Sequence, residues 1–206
     1  MKDTRQRILN TALGLFNETG TTDVTLRKIA REMNISQGNL NYHFRLKEDI
    51  IEALYFSLVA EMDAQMSGFR DAAPNLKMLY QASYVSMSKM FDYRFLLIDF
   101  IKIMSEHERI RIHYQHLQKI RAGQFLQIFD FLIEDGLMRK PELKNEYERL
   151  YERMNIMGDS WINVYTTFYK EKNLAYFCDL LFETIYPYLT SKGKKKYAKA
   201  KSSNNK

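Results

Sequence analysis

Apolar residues recur at helical spacing along almost the whole chain. Ile8, Ala12, Leu15 and Phe16 fall at i, i+4, i+7 and i+8 and predict a helix over 4–19, capped by Asp3 or Thr4 and stopped by Gly20. Leu26, Ile29, Ala30 and Met33 form the buried stripe of a second helix, with Thr25 as its N-cap. A tight turn at Met33-Asn34-Ile35 leads to a third, capped by Ser36 and running to about Phe44. A fourth begins at Lys47 and runs to about Ser67, with Ile50, Ile51, Leu54, Leu58 and Met62 on its apolar side. Beyond Gly68, Pro74 suits the first turn of a helix over 75–90, and a very apolar segment follows from Asp92 to Met104. A long helix is expected from about Glu108 to Asp135, closed by Gly136. Pro141 opens another that ends near Lys172, and Asn173 starts a last one that ends near Leu189. No strand alternation and no Asn-Gly hairpin interrupts this series, so the pattern predicts an all-α fold. Gly193 to Lys206 is lysine-rich and polar and reads as a disordered tail.

The third helix departs from the others. Only Leu40 and Phe44 anchor it, while Gln37, Asn39, Asn41 and Tyr42 face outward, with basic Arg45 and Lys47 just beyond. A short helix with so little to bury suits the major groove of DNA, where glutamine and asparagine amides can pair with base edges. Gly38 allows the backbone to approach closely. Thr25, Arg27 and Lys28 open the helix that would cross the phosphate backbone, and Tyr42 and Lys47 also suit phosphates. Charge agrees with this reading. Residues 1–47 carry eight Lys/Arg against four Asp/Glu, residues 48–191 carry sixteen against twenty-one, and residues 192–206 carry seven lysines and no acid. A basic head on an acidic body points one end toward a polyanion.

The same segment resembles the DNA-binding domain of TetR-family regulators. Ile8, Ala12, Phe16, Gly20, Thr25, Ile29, Ala30, Ser36, Gly38, Leu40, His43, Phe44, Lys47 and Glu48 carry the resemblance, which spans about residues 4–52. It implies a TetR-like, all-helical homodimer: an N-terminal three-helix helix-turn-helix domain over 1–47, a divergent ligand-binding and dimerisation domain over 48–191, and the tail over 192–206. By position, the family's phosphate and base contacts fall on Thr25, Gln37, Asn39, Tyr42, His43 and Lys47. A packing role for His43 between the third and fourth helices stands beside the phosphate role. The family usually has tyrosine where this chain has Asn41, so residue 41 either loses a phosphate contact or reads a base.

The body is rich in aromatic residues and methionine, a combination that suits adaptable apolar sites and ordinary cores alike. Candidate ligand-lining residues are Tyr84, Met87, Phe91, Phe95, Asp99, Met104, Phe125, Phe129, Trp161 and Tyr165. Asp99, within an apolar run, either orients a ligand's polar group or pairs with Lys102. The last two helices carry long apolar faces, and Leu150, Met154, Met157, Phe177, Leu181 and Ile185 are the candidates for a dimer interface, unless one chain satisfies these faces itself. His113 and His116 share a helix face, which suits either a divalent metal or solvated histidines, and no complete ligand set is evident. Cys178, the only cysteine, lies in an apolar stripe and reads as a buried thiol rather than a redox sensor. The lysine tail either adds salt-sensitive DNA affinity or is simply solvated.

Hydrophobic residues make up 46% of the chain and charged residues 27%, as in ordinary globular proteins. No apolar run approaches a membrane span, and the charged start MKDTRQRIL lacks an apolar leader, so a cytoplasmic protein is expected. An enzyme is not expected: Glu-x-x-His pairs, a Gly-x-Ser-x-Gly elbow and a phosphate-binding glycine loop are all missing. No cofactor is expected. The expected partners are palindromic operator DNA, a second copy of the chain and a small, largely apolar effector, the regulator most plainly being a repressor. The rival reading is a helical ligand-binding or scaffold protein whose helix-turn-helix has lost function.

Overall fold

The computed structural model describes residues 2–67, 74–169 and 173–202. These form eleven α-helices: α1 Lys2–Thr19, α2 Leu26–Glu32, α3 Gln37–His43, α4 Lys47–Ser67, α5 Leu76–Asp92, α6 Phe95–Ile98, α7 Phe100–Glu106, α8 Glu108–Glu134, α9 Glu146–Phe168, α10 Leu174–Glu183 and α11 Ser191–Ser202. No strand is present among the described residues, and no helix among them is long and apolar enough to cross a membrane. The fourth helix ends at Ser67 as expected, and Lys172, where another helix end was expected, lies outside the described residues.

Two compact units share the chain. The first comprises residues up to Met62 together with Lys89–Tyr114. Its core joins Ile8, Ala12 and Phe16 of α1, Ile29 of α2, Leu40 of α3, Ile50, Leu54 and Leu58 of α4, and Phe95, Ile103 and Ile110. The expected boundary after Lys47 is therefore not a packing boundary. The apolar face of α4 and the segment 93–110 complete the core that the three short helices cannot close alone. Rings of Phe16 and Phe95 meet at 5.1 Å, and burying each contributes about 1.5–3 kcal/mol.

Local chemistry sets the helix ends in this unit. Thr25 Oγ1 accepts from Lys28 N–H at 3.2 Å, and Ser36 Oγ accepts from Asn39 N–H at 3.1 Å, so each caps its helix as expected. Between them Asn34 takes φ 54°, a left-handed conformation that asparagine tolerates, and the chain turns sharply into α3. Glu61 of α4 accepts from the Tyr93 hydroxyl at 2.5 Å and from Lys89 Nζ at 2.9 Å. Burial works to raise its carboxyl, but these two partners outweigh that and hold it below the usual glutamate range. The Tyr55 hydroxyl and His113 Nδ1 lie 2.9 Å apart, and the His113 ring also packs edge-on against Phe56. His113 is thus tied into this packing rather than solvated or free to bind metal. No group of side chains fit to hold a metal occurs among the described residues.

The second unit comprises Asp63–Ser88 and Gln115–Lys206. Leu79, Tyr80, Phe129, Leu132, Leu150, Met154, Trp161, Phe177, Phe182 and Ile185 are buried in it. Cys178 is buried, as expected. Three expectations need correction here. The helix anticipated from Pro141 starts at Glu146 instead. Asn145 takes φ 57°, and the Glu146 carboxylate folds the preceding turn back by accepting from Arg139 Nη2 at 2.8 Å, Arg139 Nη1 at 2.9 Å and Glu142 N–H at 2.7 Å. The helix anticipated up to Leu189 stops at Glu183 and gives way to a 3₁₀ turn at Tyr186–Tyr188, because Pro187 has no N–H to continue an α-helix. Residues 193–202 of the tail expected to be disordered belong instead to α11, which runs Ser191–Ser202. Thr190 Oγ1 accepts from Gly193 N–H at 3.1 Å at its start, and buried Tyr197 stacks on Phe182 at 4.7 Å. Gly193 is required there, since a Cβ would stand 2.1 Å from the carbonyl oxygen of Leu137.

Two outcomes follow from these local interactions. Ser36→Ala leaves an N–H of α3 without its cap and is expected to lower stability by about 1 kcal/mol in denaturant unfolding. The Glu146 carboxyl is held at about 2 against an ordinary 4.5, first by the Arg139 hydrogen bond and then by the backbone N–H of Glu142. Its contribution is therefore present above pH 4.5 and lost as pH falls toward 2. Thermal melts across that window should show Glu146→Gln less acid-sensitive than the wild type.

A candidate DNA-reading surface on α2 and α3

The α3 helix is held from one side only. Leu40 is fully buried, Phe44 closes the far end, and the Arg5 guanidinium covers the Phe44 ring at 4.8 Å. Most of the rest of α3 is left outward. Gln37, Gly38, Asn39, Asn41 and Tyr42 are exposed, Tyr42 by 71%. His43 is half-buried, its ring edge-on to Tyr42 at 5.2 Å. Between α2 and α3 the surface is concave and lined by Asp23, Thr25, Arg27, Lys28, Arg31, Ile35 and Gln37. Three cations thus flank a groove that ends on the first residue of α3. A surface of this kind offers amides to base edges and cations to phosphates.

The structure therefore brings the DNA-contact candidates Thr25, Arg27, Lys28, Gln37, Gly38, Asn39, Asn41, Tyr42 and His43 onto neighbouring surfaces of α2 and α3. Lys47 is the exception to the picture of freely exposed cations. It is half-buried, and its Nζ donates to the Thr21 carbonyl at 2.7 Å. The start of α4, expected to suit phosphates, carries Glu48 and Asp49, and Asp49 Oδ2 accepts from Leu46 N–H at 3.0 Å.

The α1–α2 loop contributes residues that sequence reasoning missed. Thr21 is only 2% exposed. Its N–H and hydroxyl both donate to Asp99 Oδ2, at 2.8 and 2.6 Å. Lys102 Nζ donates to Thr22 Oγ1 at 2.8 Å. The Asn17 side chain donates to the Asp92 carbonyl at 2.8 Å and accepts from Phe95 N–H at 3.1 Å. Asp99 is thus neither paired with Lys102 nor turned to a ligand; it accepts from the loop that leads into α2. Only Gly20 hinted at this in the sequence: its φ of 75° turns the loop toward Asp99.

The other ligand candidates are divided between the two units. Phe91, Phe95, Asp99 and Met104 belong to the first unit, and Phe95 and Met104 pack with its core. Tyr84, Met87, Phe125, Phe129, Trp161 and Tyr165 belong to the second. There Phe125 and Phe129 meet Tyr151 and Tyr147, and Trp161 meets Phe177 at 5.3 Å. The dimer candidates also need correction. Leu150, Met154, Phe177 and Ile185 are buried within one chain, and Leu181 is half-buried. Met157 is the one exposed candidate of the six, and the other large exposed apolar residues of α9 and α10 are Ile156, Val164, Phe168, Tyr176 and Leu180.

Known proteins share this architecture and this motif. A family model described as "Bacterial regulatory proteins, tetR family" matches residues 8–54, and one described as "Bacterial transcriptional repressor" matches residues 58–197. A TetR-family transcriptional regulator from Marinobacter aquaeolei superposes with a TM-score of 0.81 at 24% identity, covering 97% of this chain and 98% of that one. A transcriptional regulator from Saccharomonospora viridis, solved in complex with choline, gives a TM-score of 0.74 at 20% identity over 92% and 98% of the two chains. An HTH-type transcriptional regulator of Staphylococcus aureus is 28% identical over 93 residues, 45% of this chain and 49% of that protein. The chain spans about half the length of the curated relatives it matches. Proteins of this family are DNA-binding transcription factors rather than enzymes, and with both of its models matched in tandem, this chain belongs to the TetR family of bacterial transcriptional regulators.

Proposed function

We propose that the protein is a one-component repressor that binds a palindromic operator as a homodimer and leaves it when a small effector binds the helical body. The observation that carries this reading is α3: a capped helix with a single anchored face, whose polar residues Gln37, Asn39, Asn41 and Tyr42 are exposed beside the cationic groove of α2. Gln37, Asn39 and Asn41 are assigned to bases. Thr25, Arg27, Lys28, Tyr42, His43 and Lys47 are assigned to phosphates, and Gly38 to close backbone approach. The protein works in the cytoplasm, on double-stranded DNA.

Dimerisation is assigned to the outward side of α9 and α10. Met157, Val164 and Phe168 lie at i, i+7 and i+11 on α9, and Tyr176 and Leu180 at i and i+4 on α10, all exposed in the single chain. Two such helices from each protomer form a four-helix interface of a common kind. A two-fold dimer would present its two α3 helices to half-sites about 34–36 Å apart. The effector is assigned to the second unit, with Tyr84, Met87, Phe125, Phe129, Trp161 and Tyr165 as its candidate lining. It acts only by binding one dimer geometry better than the other.

Operator binding is tested with DNA taken from upstream of the coding region, at moderate salt. Gln37→Ala and Asn39→Ala should each lose about 1–3 kcal/mol of discrimination between that DNA and a scrambled duplex. Unchanged discrimination would favour a scaffold with a non-functional helix-turn-helix. For the dimer, Val164→Asp with Leu180→Asp should shift the protein to a monomer in analytical ultracentrifugation while its helical circular dichroism is kept. A persistent dimer would place the interface elsewhere.

A further inference from the structure

Thr21 uses all of its polar groups. Its N–H and Oγ1 both go to Asp99 Oδ2, at 2.8 and 2.6 Å, and its carbonyl receives Lys47 Nζ at 2.7 Å. One buried threonine therefore joins a carboxylate at the α6–α7 junction to an ammonium at the first turn of α4. Asp99 sits where the apolar segment breaks, between α6 and α7, with φ −93° and ψ 20°. That break lets a carboxylate reach the α1–α2 loop from an otherwise apolar stretch. On either side the contact is braced by Lys102 on Thr22 and by Asn17 on Phe95 N–H.

We infer that Asp99 is a positioning residue for operator binding: through Thr21 it fixes the Lys47 ammonium where α3 ends and the DNA backbone passes. The inference rests on the reading above that Lys47 meets a phosphate. A lysine side chain ordinarily samples many rotamers, and holding it costs entropy when a phosphate is bound. Here one of its three N–H donors is already committed to a carbonyl, and two remain for a phosphate oxygen. Binding then orders less. A carbonyl steers the ammonium only if the carbonyl is itself fixed. Thr21 is fixed by two hydrogen bonds to a charged acceptor, the stronger kind. Asp99 touches no DNA. It acts by holding Thr21, and Thr21 holds Lys47.

The test is a double-mutant cycle on binding of the full-length protein to its upstream DNA, measured across a salt series. Asp99→Ala should weaken binding to operator and scrambled duplex alike, by about tenfold, and should make the salt dependence shallower, as loss of a phosphate contact does. The ratio between operator and scrambled DNA should not change. In a Lys47→Ala background, Asp99→Ala should add little. Asp99→Asn, whose amide oxygen can still accept both Thr21 donors, should restore most of what alanine loses. Thr21→Val, which keeps the volume and removes one donor, should fall between wild type and Asp99→Ala, and it serves if the alanine variant does not fold. Two results would overturn the inference: an Asp99→Ala loss of the same size with or without Lys47, or an Asp99→Ala loss that changes base preference and leaves the salt slope intact. If wild type shows no DNA preference and Lys47→Ala changes nothing, the proposed function itself has failed. If wild type binds and Lys47→Ala weakens it while Asp99→Ala does not, only the positioning role has failed.

Discussion

The loop that leads into α2 of the helix-turn-helix is held by one part-buried polar contact, the Asp99 carboxylate against Thr21. With α2 and α3 of only seven residues each, the first three helices alone bury too little surface to hold their own geometry. The core they share is completed by α4 and by Phe95, Ile103 and Ile110. Apolar packing is non-directional and fixes position only loosely. Hydrogen bonds to a charged acceptor fix direction, and the loop entering α2 donates two of them to a single carboxylate oxygen. The Phe16–Phe95 pair and the Asn17 amide lock the preceding turn in the same way, so that α1 ends and α2 begins at defined points on segment 92–102.

That arrangement explains why the DNA-reading surface can be so sparsely anchored. The α3 helix buries essentially one side chain, Leu40, and leaves its remaining positions to polar residues. Such a surface would be a poor reader if the helix wandered. Ser36 fixes its start, Phe44 under Arg5 fixes its end, and the loop contacts fix the neighbouring helix. The segment 89–114 that packs against this loop is flanked in the chain on both sides by residues of the second unit.

Short-range features of this fold were legible in the sequence, and long-range ones were not. Thr25 and Ser36 each bond an N–H three residues ahead, so residue type and spacing sufficed to find them. The all-α character followed from apolar periodicity for the same reason. Asp99 and Thr21 are separated by 78 positions, and no local pattern marks such a pair; Asp99 read instead as a ligand group or a partner of Lys102. Periodicity also locates an apolar face without saying whether the same chain or another copy covers it. Leu150, Met154, Phe177 and Ile185 accordingly read as interface although they are buried within one chain, while Val164 and Leu180 were passed over. At the C-terminus, the many lysines of α11 masked Tyr197 and Ala200, the pair at i and i+3 by which that helix is buried.

The account stands most directly on the state of the Thr21 amide, which amide hydrogen exchange reads in the intact protein. If Asp99 holds this loop, the Thr21 N–H exchanges far more slowly than an exposed loop amide in the free protein, and more slowly still once operator DNA is bound. An amide that exchanges at the rate of an exposed loop, with and without DNA, would contradict the account.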